Sequence, residues 1–119
     1  MKKIKWILFG LILLLPVVNA QPYQHTSAQR FLEICKQPNN MDVCRAYISG
    51  VLDGIFANYY LFDHHNLRVF TKNMRYWDEE KIRLGLLKWV DKNQKIAQST
   101  NAAIMINQYL YSIYVKPSA

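Results

Sequence analysis

The sequence has only two cysteines, Cys35 and Cys44, and only four glycines and four prolines in 119 residues. A zinc site needs four close ligands at short spacings such as C-x2-C, and no histidine lies between these two cysteines, so we expect no metal. No stretch alternates apolar and polar residues as a strand does, and no repeat or low-complexity tract is present. The length fits one domain, and the class that remains is all-α.

Acidic residues are also scarce, with 8 Asp+Glu against 15 Lys+Arg. Three of the lysines and none of the acids lie within the first twenty residues, so the rest of the chain carries 12 − 8 = +4. This mild excess is spread along the chain and forms no clustered basic stripe, so we expect no nucleic-acid partner. A basic surface would still attract an acidic partner through long-range steering.

The first twenty residues have the order of a secretory signal peptide. Three lysines precede an apolar run from Trp6 to Leu15, and Val18-Asn19-Ala20 places small or compact residues where a signal peptidase cleaves. The apolar run is shorter than the roughly 20 residues that a membrane-spanning helix needs. We therefore predict a signal peptide over residues 1–20, a domain over 21–119, a periplasmic location, and no membrane attachment after cleavage.

The two cysteines are predicted to form a disulfide, because an even number in a small exported domain is typical of one. The Cys35–Cys44 bond would close a short loop and stabilise the fold by roughly 2–3 kcal/mol. It would link the first two of four predicted helices in a compact bundle. Apolar residues at three- and four-residue steps place these helices at about 27–36, 41–60, 78–92 and 99–115. Residues 61–77 and 91–98 are predicted as connections, and a connection as long as the first is usually functional or contains a short helix.

The second predicted helix is apolar or small almost all round, so we expect it to be central. Interior glycines cost about 1 kcal/mol each relative to alanine, so Gly50 and Gly54 should permit close approach of another helix. Asp53 is expected to be a structural acceptor, with a functional acid of raised pKa as the alternative. Together with Tyr47, these residues form a motif that we assign to the core.

No catalytic set is evident, and we predict that the chain is not an enzyme and has no cofactor. His64 and His65 are adjacent, so on regular structure their side chains point apart, and cysteines in a disulfide cannot act as thiolates. The segment Arg75-Tyr76-Trp77 contains the residue types enriched at binding hot spots. The alternative is that these aromatic residues pack beneath the connection as a satellite of the core, since spacing alone does not reveal exposure.

Two stretches, Phe31–Cys35 (FLEIC) and Cys44–Gly54 (CRAYISGVLDG), resemble the Rap/Tai family of immunity proteins associated with type VI secretion. The resemblance continues more weakly through residues 86–91 and the last helix. Many members have a second cysteine pair, and here Phe70 and the region 115–117 stand where those cysteines are expected. The loss of both partners together leaves the first bond intact.

The resemblance implies a small helical periplasmic protein that protects a bacterium from an injected peptidoglycan amidase. Such a protein would dimerise or present a loop, and would plug the Cys–His cleft of its cognate amidase. We place the partner-binding surface in the connection 61–77, at His64, His65, Arg75, Tyr76 and Trp77, with residues 91–98 as a second candidate. The alternative function is a periplasmic acid-stress chaperone that resembles HdeA.

Overall fold

The computed structural model describes residues 25–115, so the predicted signal peptide and its cleavage site lie outside the described residues. Within this range the chain is mostly helical and has no strand beyond one isolated bridge between Ser27 and Asn101. The elements are α1 (Ala28–Lys36), a 3-10 turn (Pro38–Asn40), α2 (Met41–Phe62), α3 (His64–Asn73), α4 (Glu79–Asp91), α5 (Gln94–Ser99) and α6 (Ala102–Tyr114). In the same residues we find no helix with the length and apolar character needed to cross a bilayer.

The all-α class and the disulfide are confirmed, but the prediction of four helices is wrong because both connections contain a helix. Asp63 alone separates α2 from α3, and its carboxylate accepts a hydrogen bond from the backbone N–H of Asn66 (3.1 Å). One capping residue is therefore enough to end one helix and begin the next. The segment after α4 contains α5, which begins without a side-chain cap, and α6 begins at Ala102, with Asn101 as its cap.

The Cys35–Cys44 disulfide joins the end of α1 to the first turn of α2, with the two Cα atoms 5.1 Å apart. Both cysteines are fully buried. Arg83 of α4 donates a hydrogen bond to the carbonyl of Cys35 (3.1 Å) and two more to Glu80 (2.6 and 2.8 Å). These hydrogen bonds lower the pKa of Glu80, and they raise the pKa of Arg83. The buried guanidinium thus ties α4 to the disulfide.

The core lies between α1, α2, α4 and α6. Its largest fully buried side chains are Phe31, Ile48, Ile82, Leu86, Met105, Ile106 and Leu110. Six residues of α6 are buried: Ala102, Met105, Ile106, Tyr109, Leu110 and Tyr114. Helix α2 contacts α1, α3, α4 and α6, as expected of a central helix, but only three of its 22 residues are buried. It covers one side of the core.

The expected role of the α2 glycines is also wrong. A Cβ added at Gly50 or Gly54 would meet nothing within 4 Å, so no other helix within residues 25–115 packs closely against them. The glycine that permits close packing is Gly85 of α4, where a Cβ would overlap the hydroxyl of Tyr109 and lie 2.9 Å from its Cζ atom. Asp53 is exposed and not a buried acceptor, because it lies on the outer side of α2. Of the motif assigned to the core, Tyr47 alone packs there, against Phe31 (4.8 Å between ring centroids).

Candidate functional site

An apolar corner, formed by Tyr60, Leu61 and Phe62, lies at the end of α2. These side chains are 58%, 65% and 79% exposed, so three consecutive large apolar residues face solvent. Tyr60 stacks on Phe56, one turn earlier, with 6.2 Å between the ring centroids, and it contacts His64 edge-on at 6.3 Å. Contiguous exposed apolar surface of this kind marks an interaction site.

Helix α3 continues from the apolar corner and is fixed at both ends. At its start, hydrogen bonds from the backbone and the side-chain amide of Asn66 lower the pKa of Asp63, and the nearby histidines act in the same direction. At its end, Asn73 donates a hydrogen bond to the carbonyl of Tyr114 in α6. Phe70 is buried and packs edge-on against the Tyr114 ring (5.2 Å). The orientation of α3 is thereby set by the core.

The outer side of α3 carries two cations, Arg68 and Lys72, and no carboxylate. Arg68 and Lys72 are exposed one turn apart, and His64 and His65 are exposed one turn before Arg68. The sequence of α3 contains no Asp or Glu. Residues spaced three or four apart share one face of a helix, so these side chains form a basic stripe. A basic stripe beside an apolar corner favours a partner with an acidic surface.

In the turn between α3 and α4, Tyr76 is exposed and Trp77 is half-buried, a difference that the sequence alone did not predict. Tyr76 is 81% exposed and Arg75 is exposed, as a contact surface requires. Trp77 is half-buried and packs against the core, with the Lys81 ammonium 5.3 Å from its ring centroid. The backbone N–H of Trp77 donates to the carbonyl of Met74 (3.1 Å), and Asp78 caps α4. The turn is therefore held in one conformation.

The structure does not bring the five predicted contact residues to one point. His64 and His65 begin α3, whereas Arg75 and Tyr76 follow its end, about 15 Å away along a helix of ten residues. The basic stripe joins the two ends into one elongated surface. The apolar corner was not predicted from the sequence. The signal for it is the run of four large residues Tyr59-Tyr60-Leu61-Phe62, because four consecutive residues of a helix cannot all face the core.

A small pocket opens beside this surface, between α2, α3 and the turn before α4. Its volume is about 230 Å³, and we call it the Asp53 pocket. It is lined by Leu52, Asp53, Phe56, Phe70, Met74 and Trp77. Phe56 belongs both to this pocket and to the stack with Tyr60, so the pocket adjoins the apolar corner. Asp53 is its one charged lining residue.

No protein-family model matches this chain, and neither a curated protein nor a solved structure is significantly similar to it. Inference about its function therefore rests on the surface itself.

Two wider grooves of about 530 and 630 Å³ lie along α6, the first beside Gly50 and Gly54. Among residues 25–115, no three His, Cys, Asp or Glu side chains come together as metal ligands would.

The strongest pKa perturbations lie away from this surface. Burial raises the pKa of both Tyr109 and Tyr114, and the Tyr114 hydroxyl also shares a hydrogen bond with that of Tyr59 (2.7 Å). These hydroxyls lie among core side chains, where a phenol stays protonated because its charged form is poorly solvated.

The arrangement around α3 is suited to contact with another molecule: apolar side chains project, cations flank them, and the backbone beneath is fixed.

Proposed function

We propose that this chain is a periplasmic immunity protein that binds a type VI secretion peptidoglycan amidase and inhibits it by occluding its active site. The observation that carries the proposal is the exposed apolar corner joined to the basic stripe of α3. The resemblance of residues 31–35 and 44–54 to the Rap/Tai family supports the choice of partner. An inhibitor of this kind needs a rigid complementary surface and no catalytic group of its own.

The contact surface in this proposal runs from the apolar corner to Tyr76. Tyr60, Leu61 and Phe62 project at one end, and Arg75 and Tyr76 at the other, with the basic stripe between them. Both ends are held by capped helices and by packing on α6, so little conformational entropy is lost on binding. Trp77 acts from beneath, by fixing the turn that carries Tyr76.

The test is calorimetry of the mature protein with the amidase encoded by the neighbouring gene, together with survival of cells that make this amidase in the periplasm. We expect the Leu61→Ser/Phe62→Ser double variant and Tyr76→Ala each to weaken binding about tenfold or more, as hot-spot residues do. Leu84→Ser is the matched control, because Leu84 on α4 is 55% exposed and lies outside the surface. Absence of both binding and protection in the wild-type protein would refute the proposal.

The acid-stress chaperone is the competing outcome. Light scattering of an unfolding client at about pH 2–3 and at pH 7 separates the two functions. Suppression of aggregation at the low pH alone, without binding to the amidase, would assign the chain to the chaperone class.

We also propose that two copies associate through α2. The groove beside Gly50 and Gly54 is open, and a Cβ at either position would meet nothing within 4 Å, so a helix of a second copy has room to approach. Light scattering coupled to size exclusion measures the mass directly. Gly54→Leu would fill the groove and is expected to shift a dimer to monomer. A wild-type mass of one chain at all concentrations would contradict this association.

A further inference from the structure

The Asp53 pocket combines side chains that pack in or against the core with an exposed carboxylate. Phe70 is buried and Trp77 and Met74 are half-buried, which makes the inner wall apolar and aromatic. Asp53 and Phe56 are exposed and form the outer rim. Among residues 25–115, Asp53 takes part in none of the four ion pairs, although the chain is basic overall. The Asp53 carboxylate, which lies beside an apolar aromatic wall, is therefore available to a cation from outside the chain.

The chemistry of the lining selects a cation with an apolar stem. An aliphatic chain packs on Leu52, Phe70 and Met74, while an ammonium or guanidinium group at its end meets the carboxylate of Asp53. Aromatic rings also attract cations through their faces, and Trp77 already does so with Lys81 at 5.3 Å. An anionic group would be repelled by Asp53, and a neutral apolar group would leave the carboxylate without a partner.

The size of the pocket limits the occupant to one side chain. About 230 Å³ is below the roughly 300–1,000 Å³ of pockets that bind whole small molecules. The pocket adjoins the apolar corner through Phe56, and it adjoins the turn that carries Tyr76 through Trp77. An occupant carried by a protein that covers this surface is therefore better matched than a free metabolite.

We infer that the Asp53 pocket receives a lysine or arginine side chain of the partner protein, with its cation at Asp53 and its stem between Phe56 and Met74. This inference rests on the proposed function for the identity of the partner. It also adds a negative group, Asp53, to an interface in which the α3 stripe is positive. The α3 stripe favours carboxylates on the partner, whereas the pocket requires one cation among them, so the combination specifies the register of docking.

The first test uses peptides and needs no partner. The protein, labelled for NMR, is titrated with Ac-Gly-Lys-Gly-NH2 and with the same peptide containing neutral norleucine. We expect the lysine peptide to shift the Met74 methyl and Trp77 indole signals and to bind about threefold more tightly, the scale of a partly exposed charge pair. Asp53→Asn should remove that preference, and Asp91→Asn, at another exposed acid, should keep it.

Two results of the titration would overturn the inference. Equal binding of the lysine and norleucine peptides would reduce the pocket to an apolar contact. Shifts that leave Met74 and Trp77 unchanged while other signals move would place the cation elsewhere. Asp53 is exposed and makes no ion pair in the described part of the chain, so Asp53→Asn is expected to fold, as circular dichroism would verify.

The second test uses the amidase from the neighbouring gene. Asp53→Lys should weaken binding about tenfold or more, because it places a cation where the partner's cation must enter, and Asp91→Lys should leave the affinity unchanged. Failure of the wild-type protein to bind the amidase defeats the proposed function and leaves the peptide result to decide on the pocket. Binding that Asp53→Lys does not alter defeats the pocket and leaves the proposed function intact.

Discussion

Large apolar side chains are buried on one side of this molecule and exposed on the other. On the inner side, α4 and α6 bury Ile82, Leu86, Ile106 and Leu110 completely. On the outer side, the end of α2 leaves Tyr60, Leu61 and Phe62 in solvent, although Leu61 and Phe62 are as apolar as the buried side chains. Burial of an apolar side chain stabilises a fold by about 1.5–3 kcal/mol, and an exposed one forgoes this gain. Much of the apolar burial that stabilises the fold is thus in α4 and α6, whereas the α2–α3 junction carries the exposed apolar surface that we propose as a contact site.

The largest difference between the two sides should appear on removing one large apolar side chain from each. Leu110→Ala empties a fully buried site and is expected to lower the free energy of unfolding by about 3 kcal/mol. Phe62→Ala removes a side chain that is 79% exposed and should change it by less than about 0.5 kcal/mol. Urea unfolding at pH 7 measures both. A large loss from Phe62→Ala would mean that the corner is part of the core.

The disulfide comes next in size. The bond joins residues nine apart, and loop-closure entropy for such a loop corresponds to about 2.5 kcal/mol. The Cys35→Ser/Cys44→Ser variant should lose about this amount in chemical denaturation, and a reducing agent should cost the wild-type protein the same. Equal stability of the oxidised and reduced wild-type proteins would contradict the prediction.

Paired glycine substitutions sharpen the comparison further. Gly85→Ala should lower the free energy of unfolding by about 1–2 kcal/mol. The new Cβ would displace Tyr109, and the cost of that displacement exceeds the gain from the better helix propensity of alanine. Gly54→Ala has open space and should stabilise the monomer by up to about 1 kcal/mol. Thermal melts of the two variants should therefore move in opposite directions. Two shifts of the same sign would mean that the environments of these glycines do not differ.

The smallest effect at neutral pH comes from the buried tyrosines. Burial raises the pKa of Tyr109 and Tyr114 in the folded state above the ordinary value of 10.0. The stability that these groups contribute is therefore fully present below pH 10 and is lost as the pH rises above it. The unfolding free energy should therefore fall as the pH rises above about 10. Tyr109→Phe should reduce that slope, whereas Tyr76→Phe, on the exposed side, should not.

The sequence alone predicted the inner side better than the outer side. Helical periodicity located α1, α2, α4 and α6 to within a few residues, because each has a face that must be buried. It missed α3 and α5, because a single capping residue separates α3 from α2, and α5 is only six residues long. Whether Gly50, Gly54 and Asp53 are buried depends on which helix lies opposite them. Periodicity within one helix does not contain that information.

The candidate surface was predicted only in part, for the same reason. Residue type pointed to Arg75, Tyr76 and Trp77, but the separation of the exposed Tyr76 from the half-buried Trp77 depends on how the turn meets the core. The Asp53 pocket combines residues from α2, α3 and the turn that are up to 25 positions apart. Such a site is set by tertiary packing, and no local motif marks it.

The short span of the Cys35–Cys44 bridge also bears on how the protein matures. Segments of about ten residues bring their ends together in roughly 10–100 ns, far faster than an oxidant meets a thiol. If the chain is exported as proposed, the rate of bond formation in the oxidising compartment is set by the supply of oxidant and not by the time that the two cysteines need to meet. Because no other cysteine is present, mispairing within one molecule is impossible, and the hinge between α1 and α2 can be locked before α6 has been delivered.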